Sequence, residues 1–109
     1  GRSDVFAHRC PVDGRVRFVG KILDVGEVRM QGSYQISESG IGPPGDGVIR
    51  INGSEVWRAP HGQRPYPETF FDVDLSPRAG QYVFIEFEAE SSVRGASADW
   101  NNPRFVTGP

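Results

Sequence analysis

The chain has 109 residues, the size of one domain with its own core. A charged fraction of 24% and a hydrophobic fraction of 37% are those of a globular chain rather than a disordered one. The net charge of −2, from 12 Lys and Arg against 14 Asp and Glu, leaves no cationic excess for nucleic acid, and no apolar run reaches the ~20 residues of a membrane-spanning helix.

Cys10 is the single cysteine, so no internal disulfide can form. No activating motif surrounds it, and a small-hydrophobe role is expected. Lys21 is the only lysine; every other basic residue is arginine, whose planar fork suits flat anionic groups. The chain starts Gly-Arg-Ser-Asp, with neither a methionine nor a signal-peptide pattern, as expected of a module of a larger protein or a processed chain.

Helical periodicity is nearly absent, and 14 glycines and 9 prolines punctuate the chain every few residues. A "VDG" turn at 12–14 leads into "RVRFVGKILDV" (15–25), where Val16, Phe18, Gly20 and Ile22 alternate with Arg15, Arg17, Val19 and Lys21. "EVRMQGSYQI" (27–36) is a second strand, with Gly32 expected at a bulge. "GVIRING" (47–53) ends in Asn52-Gly53, the strongest short hairpin signal, and "SEVWRA" (54–59) is its partner. In "TFFDVDL" (69–75) Phe71, Val73 and Leu75 share one face and Asp72 and Asp74 the other. "SPRAG" turns the chain into "QYVFIEFEAE" (81–90), with Val83, Ile85, Phe87 and Ala89 inward and Glu86, Glu88 and Glu90 outward. "PRFV" (103–106) is the last strand. The connections are 37–47, 60–68 and 91–102. Seven or eight strands at this spacing predict one all-β domain over 1–109, an antiparallel β-sandwich and most simply a jelly roll.

Catalysis finds little support. The pairs Asp72/Asp74 and Glu86/Glu88/Glu90 offer carboxylates on one face, but strand alternation accounts for them as solvated faces. His8 and His61 stand far apart with no nucleophile motif, and no His/Cys zinc set exists. The expectation is therefore no enzyme. Calcium needs only oxygen ligands, many from backbone. Asp46 in "GDG" and Asp99 before the last strand are its candidate carboxylates. The alternatives are a turn residue for Asp46 and a capping or arginine-pairing acid for Asp99.

Aromatic residues near the connections carry the remaining signal. Sugar rings present C–H faces that stack on flat aromatics, while their hydroxyls need Asn, Asp, Arg and Gln. Trp57, Tyr66 and Trp100 lie in or beside the connections, with Arg58 and Asn101 close in sequence. Each Trp has an alternative place in the core, and Trp100 could plug the end of the sandwich. Arg15, Arg17 and Lys21 line one side of a strand, a sheet face that could grip the carboxylates or sulfates of acidic glycans.

The landmarks "DVFAH", "DGRVRFVGKILD", "GDGVIRINGSEVWRA", "FDVDLSPRAGQYVFIEFEAE" and "ADWNNPRF", in that order, resemble NPCBM-type carbohydrate-binding modules and their galactose-binding-like jelly-roll relatives in bacterial glycan-processing proteins. Asp99, Trp100 and Pro103 match the closing signature of that group. The resemblance implies a non-catalytic jelly roll that targets a linked, secreted enzyme to polysaccharide. It also implies a possible structural calcium ion. Acidic glycans, uronic-acid or sulfated, are favoured slightly over neutral ones. The alternative is a structural or protein-docking accessory domain that binds its parent enzyme and no sugar.

Overall fold

A computed structural model describes residues 3–5, 10–11, 15–37, 45–90 and 97–108. The expected roles of His8 and of the segments 38–44 and 91–96 lie outside the described residues, as do the side chains of Cys10 and Arg15. Among the described residues nine strands form two antiparallel sheets. Sheet A contains β1 (Ser3–Val5), β2 (Cys10–Pro11), β4 (Val28–Ile36), β7 (Thr69–Asp74) and β9 (Ser97–Thr107). Its order is β1-β9-β4-β7, with β2 also paired to β9. Sheet B contains β3 (Arg15–Lys21), β5 (Gly47–Ile51), β6 (Ser54–Ala59) and β8 (Tyr82–Ala89), in the order β3-β8-β5-β6. With the two-residue β2 set aside, successive strands alternate between the sheets except at β5 and β6, which form a hairpin within sheet B. The expected all-β sandwich is the fold observed.

The core follows from strand alternation, because successive side chains point to opposite faces. On β4, Val28, Met30, Tyr34 and Ile36 are buried, while Arg29, Gln31 and Gln35 stand on the outer face. On β8, Val83, Ile85, Phe87 and Ala89 face them across the sandwich. Fully burying a side chain as large as Phe87 contributes on the order of 2–3 kcal/mol. The hairpin predicted at Asn52-Gly53 is present, with positive φ at both residues (51° and 84°), the backbone of a type I′ turn.

Two boundaries differ from expectation. Strand β3 ends at Lys21 rather than at Val25, and Ile22 then turns into the core, its backbone bonded to Gln81 and Gly80. The last strand is longer than "PRFV": it runs from Ser97, so the final part of the segment expected to be a loop, Ala98 to Asn101, pairs with β4. Asn101, Asn102 and Pro103 look like loop residues, but they form a bulge. Gln31 pairs with Arg104 and Ser33 with Asn101, and Asn102 takes φ 49°. The irregularity lies opposite Gly32, where a Cβ would come within 2.9 Å of the Asn101 carbonyl and 2.7 Å of the Phe71 ring. The bulge expected at Gly32 therefore sits in β9, and glycine is needed on β4 for the close approach.

Candidate ligand-binding surface

The aromatic residues expected to stack on a ligand turn inward. Trp100 is 0% exposed. Its ring meets Tyr34 at 4.7 Å, Phe87 at 5.2 Å, Trp57 at 5.9 Å and Phe71 at 6.0 Å between centroids. Its indole Nε1 has no hydrogen-bond acceptor among the described residues, so ring packing holds it. Trp100 is thus the plug of the sandwich and not a platform: its place between Ala98 and the bulge fixes it on the inner face of β9. Trp57 is half-buried, packed on Phe71 and Trp100. Tyr66 is also half-buried against the core, with the Arg64 guanidinium 5.7 Å from its ring centre. Loop 60–68 carries Tyr66 from sheet B across to sheet A, and Gln35 donates to the Tyr66 carbonyl.

Arg58 is fully engaged by acids. Its guanidinium donates to Glu55 (2.8 Å), Asp46 (2.9 Å) and Glu90 (2.8 Å), which raises its already high pKa further. Asp46 accepts from Arg58 on Oδ2, while Oδ1 lies 3.0 Å from the His61 amide nitrogen and 2.8 Å from its Nδ1. These donors, His61 first, hold the Asp46 carboxyl below its usual range. A calcium ion at Asp46 would have to displace a guanidinium and two nitrogen partners. Asp99 stands on the other sheet, paired in register with Gln35. Among the described residues no group of three or more His, Cys, Asp or Glu could hold a metal. Asp46 and Asp99 as placed do not fit a shared calcium site.

Asn101 lies on the outer face of sheet A, in one row with Ser33 and Phe70. Ser33 Oγ and Asn101 Nδ2 both donate to Glu68. The next row joins Asp72, Gln31 and Arg104 by side-chain hydrogen bonds, and Arg29 binds Asp72 at 2.6 Å. This face is a ladder of mutually satisfied polar groups. A shallow depression of about 400 Å³ beside Val25, Gly26, Glu27, Thr107 and Gly108 brings no further polar set together.

The outer face of sheet B divides into two halves. In one, the acids of β8 are covered: Glu86 pairs with Arg17 at 3.7 Å and is buried, and Arg50 bridges Glu88 (3.5 Å) and Glu90 (3.3 Å). Glu86 and Glu88 were expected to be solvated. They do face outward, but arginines from both neighbouring strands close over them. In the other half, Tyr82 is 76% and Val19 71% exposed. Tyr82 pairs across the strands with Lys21 and Val19 with Phe84, and the Arg17 guanidinium lies 5.8 Å from the Phe84 ring centre. Lys21 has no acidic partner among the described residues. Tyr82 and Phe84 were missed as site residues. The readable signal was the phase of β8: residues even in number alternate with the core positions Val83, Ile85 and Phe87.

No family model matches the chain and no curated protein matches it, so the family resemblance rests on its short landmarks alone. Among solved structures the fold is similar to the crystal structure of dimeric latent PorU from Porphyromonas gingivalis, with a TM-score of 0.53 and 12% identity. The alignment covers 96% of this chain and 12% of that one. The likeness shows the fold alone, and the chain spans about an eighth of that protein's length.

Proposed function

We propose that this domain is a non-catalytic carbohydrate-binding module of a secreted enzyme, and that it takes acidic glycans on the Tyr82 half of sheet B. The observation that carries this reading is one exposed aromatic ring directly across the strand from an ammonium that no described acid neutralises. Tyr82 supplies a stacking platform, extended by Val19 and the partly exposed Phe84. Lys21 borders it, offering a point charge for carboxylates or sulfates, while Arg17, paired with Glu86, lies over the Phe84 ring. Such a surface is shallow and open, which suits a polymer better than a small enclosed ligand. The preference for acidic over neutral sugars rests on this half of the face alone, since Arg50 and Arg58 are already neutralised by glutamates and Asp46.

The test is affinity electrophoresis through gels containing polygalacturonate, a sulfated galactan or a neutral glucan. Retardation is expected in the acidic gels, reduced by added salt because exposed ion pairs are screened. Tyr82→Ala should abolish it and Lys21→Ala should weaken it, while Asn101→Ala should leave it unchanged. Retardation that survives Tyr82→Ala in a folded protein overturns the site. Absence of retardation in every gel overturns sugar binding and leaves the accessory docking role.

A further inference from the structure

Among the described residues β3 is the outermost strand of sheet B and β7 the outermost strand of sheet A. A terminal strand presents a row of backbone groups able to pair with another chain. The two edges carry opposite charge: Arg17 is shared with Glu86 and Asp72 with Arg29, while Lys21 and Glu68 have no ion-pair partner among the described residues. On the outer face β3 shows Arg17, Val19 and Lys21, and the β7 side shows Glu68, Phe70 and Asp72, all exposed. Val19 and Phe70, at 71% and 72%, are among the most exposed large apolar side chains described.

We propose that copies of this chain associate head to tail, with β3 of one copy pairing antiparallel with β7 of the next. Setting Val19 opposite Phe70 places Arg17 opposite Asp72 and Lys21 opposite Glu68, so apolar meets apolar and each cation meets an acid. A shift of two residues in either direction loses this match. One shift sets Val19 against Asp72 and Lys21 against Phe70; the other sets Val19 against Glu68 and Arg17 against Phe70. Two β3 edges centred on Val19 would oppose Arg17 to Lys21, and two β7 edges centred on Phe70 would oppose Glu68 to Asp72. Like charges directly opposite are destabilising, so the symmetric pairings are selected against. The contact is heterologous because its halves lie on different edges, and each copy keeps one edge open for another.

Sedimentation velocity of the chain over a range of concentrations tests this. At low salt the average mass should rise steadily with concentration, and added salt should return it toward one chain. Lys21→Glu and Glu68→Lys, each checked for native circular dichroism, should each weaken association about tenfold or more. Mixing the two variants should restore it, since the acid introduced on β3 of one copy then meets the base introduced beside β7 of the other. Tyr82→Ala should leave association intact while abolishing glycan retardation, which distinguishes the two roles of an edge whose Val19 and Lys21 serve both. A wild-type mass that stays at one chain throughout overturns the proposal, and so does a mixture of folded variants that fails to associate.

Discussion

Two groups of aromatic residues in this domain have opposite fates. Trp57 and Trp100 look like binding residues in sequence, flanked by Arg, Asn and Asp, yet their rings meet inside the sandwich with Tyr34, Phe71 and Phe87. Tyr82 and Phe84 sit in a plain strand of alternating hydrophobics and acids, yet they face outward beside Lys21 and Arg17. Side-chain chemistry is nearly the same in both groups. What differs is strand phase: Trp100 falls on the inner face of β9 and Tyr82 on the outer face of β8. A polar neighbourhood in sequence therefore says little about exposure, and alternation relative to known core positions says more.

The contrast can be broken most severely at Trp100. Trp100→Ala should cost about 3–5 kcal/mol, the range for large core truncations, read as a fall in the denaturant midpoint or as loss of folded protein. A loss under about 1 kcal/mol would place the ring outside the core. Next comes Gly32→Ala, where the added methyl meets the Phe71 ring and the Asn101 carbonyl. Overpacking of this kind costs typically about 1–3 kcal/mol, and the same denaturation measurement reads it.

A smaller effect is expected from acid. Among the described residues three carboxyls are held below their usual range: Asp46 chiefly by His61, Glu55 by Arg58, and Asp74 by the Ser76 backbone amide. Each lowered group stabilises the fold above the unfolded carboxyl value of about 4, and that share is lost as pH falls through its folded value. The thermal midpoint should change little on this account between about pH 7 and 5 and fall below about 4. Asp46→Asn should lower the midpoint at neutral pH and lessen the acid drop; an unchanged pH profile would remove Asp46 from the network. The smallest stability change belongs to Tyr82→Ala, expected within about 0.5 kcal/mol because the ring is exposed. Its loss should appear in glycan retardation instead, and a large stability loss would move Tyr82 into the same class as Trp100.

Most of the fold was legible in the sequence. Period-two alternation and the Asn52-Gly53 turn set five of the long strands close to their observed places, because one-sided burial leaves a pattern that local residues carry. The first part of β9 was not legible. Asn101, Asn102 and Pro103 carry turn chemistry, and only pairing with β4 opposite Gly32 converts that chemistry into a bulge within a strand. The candidate surface was half legible: Arg17 and Lys21 were readable as one side of β3, but their company was not. Strand β8 supplies both the glutamate that occupies Arg17 and the tyrosine that stands beside Lys21, and cross-strand register is a long-range property. The same holds for Asp46 and Arg58, which sequence divided between a metal site and a sugar site and which the fold joins with His61 into one cluster.

By itself the sequence determined that this chain builds a β-sandwich and which faces of its strands are apolar, since alternation and turn residues act within a few positions of each other. Only the tertiary structure decided which aromatics are used up by the core and which cations are neutralised by acids. Those outcomes depend on neighbours brought from distant strands, and burial and charge pairing are settled by what stands opposite in space.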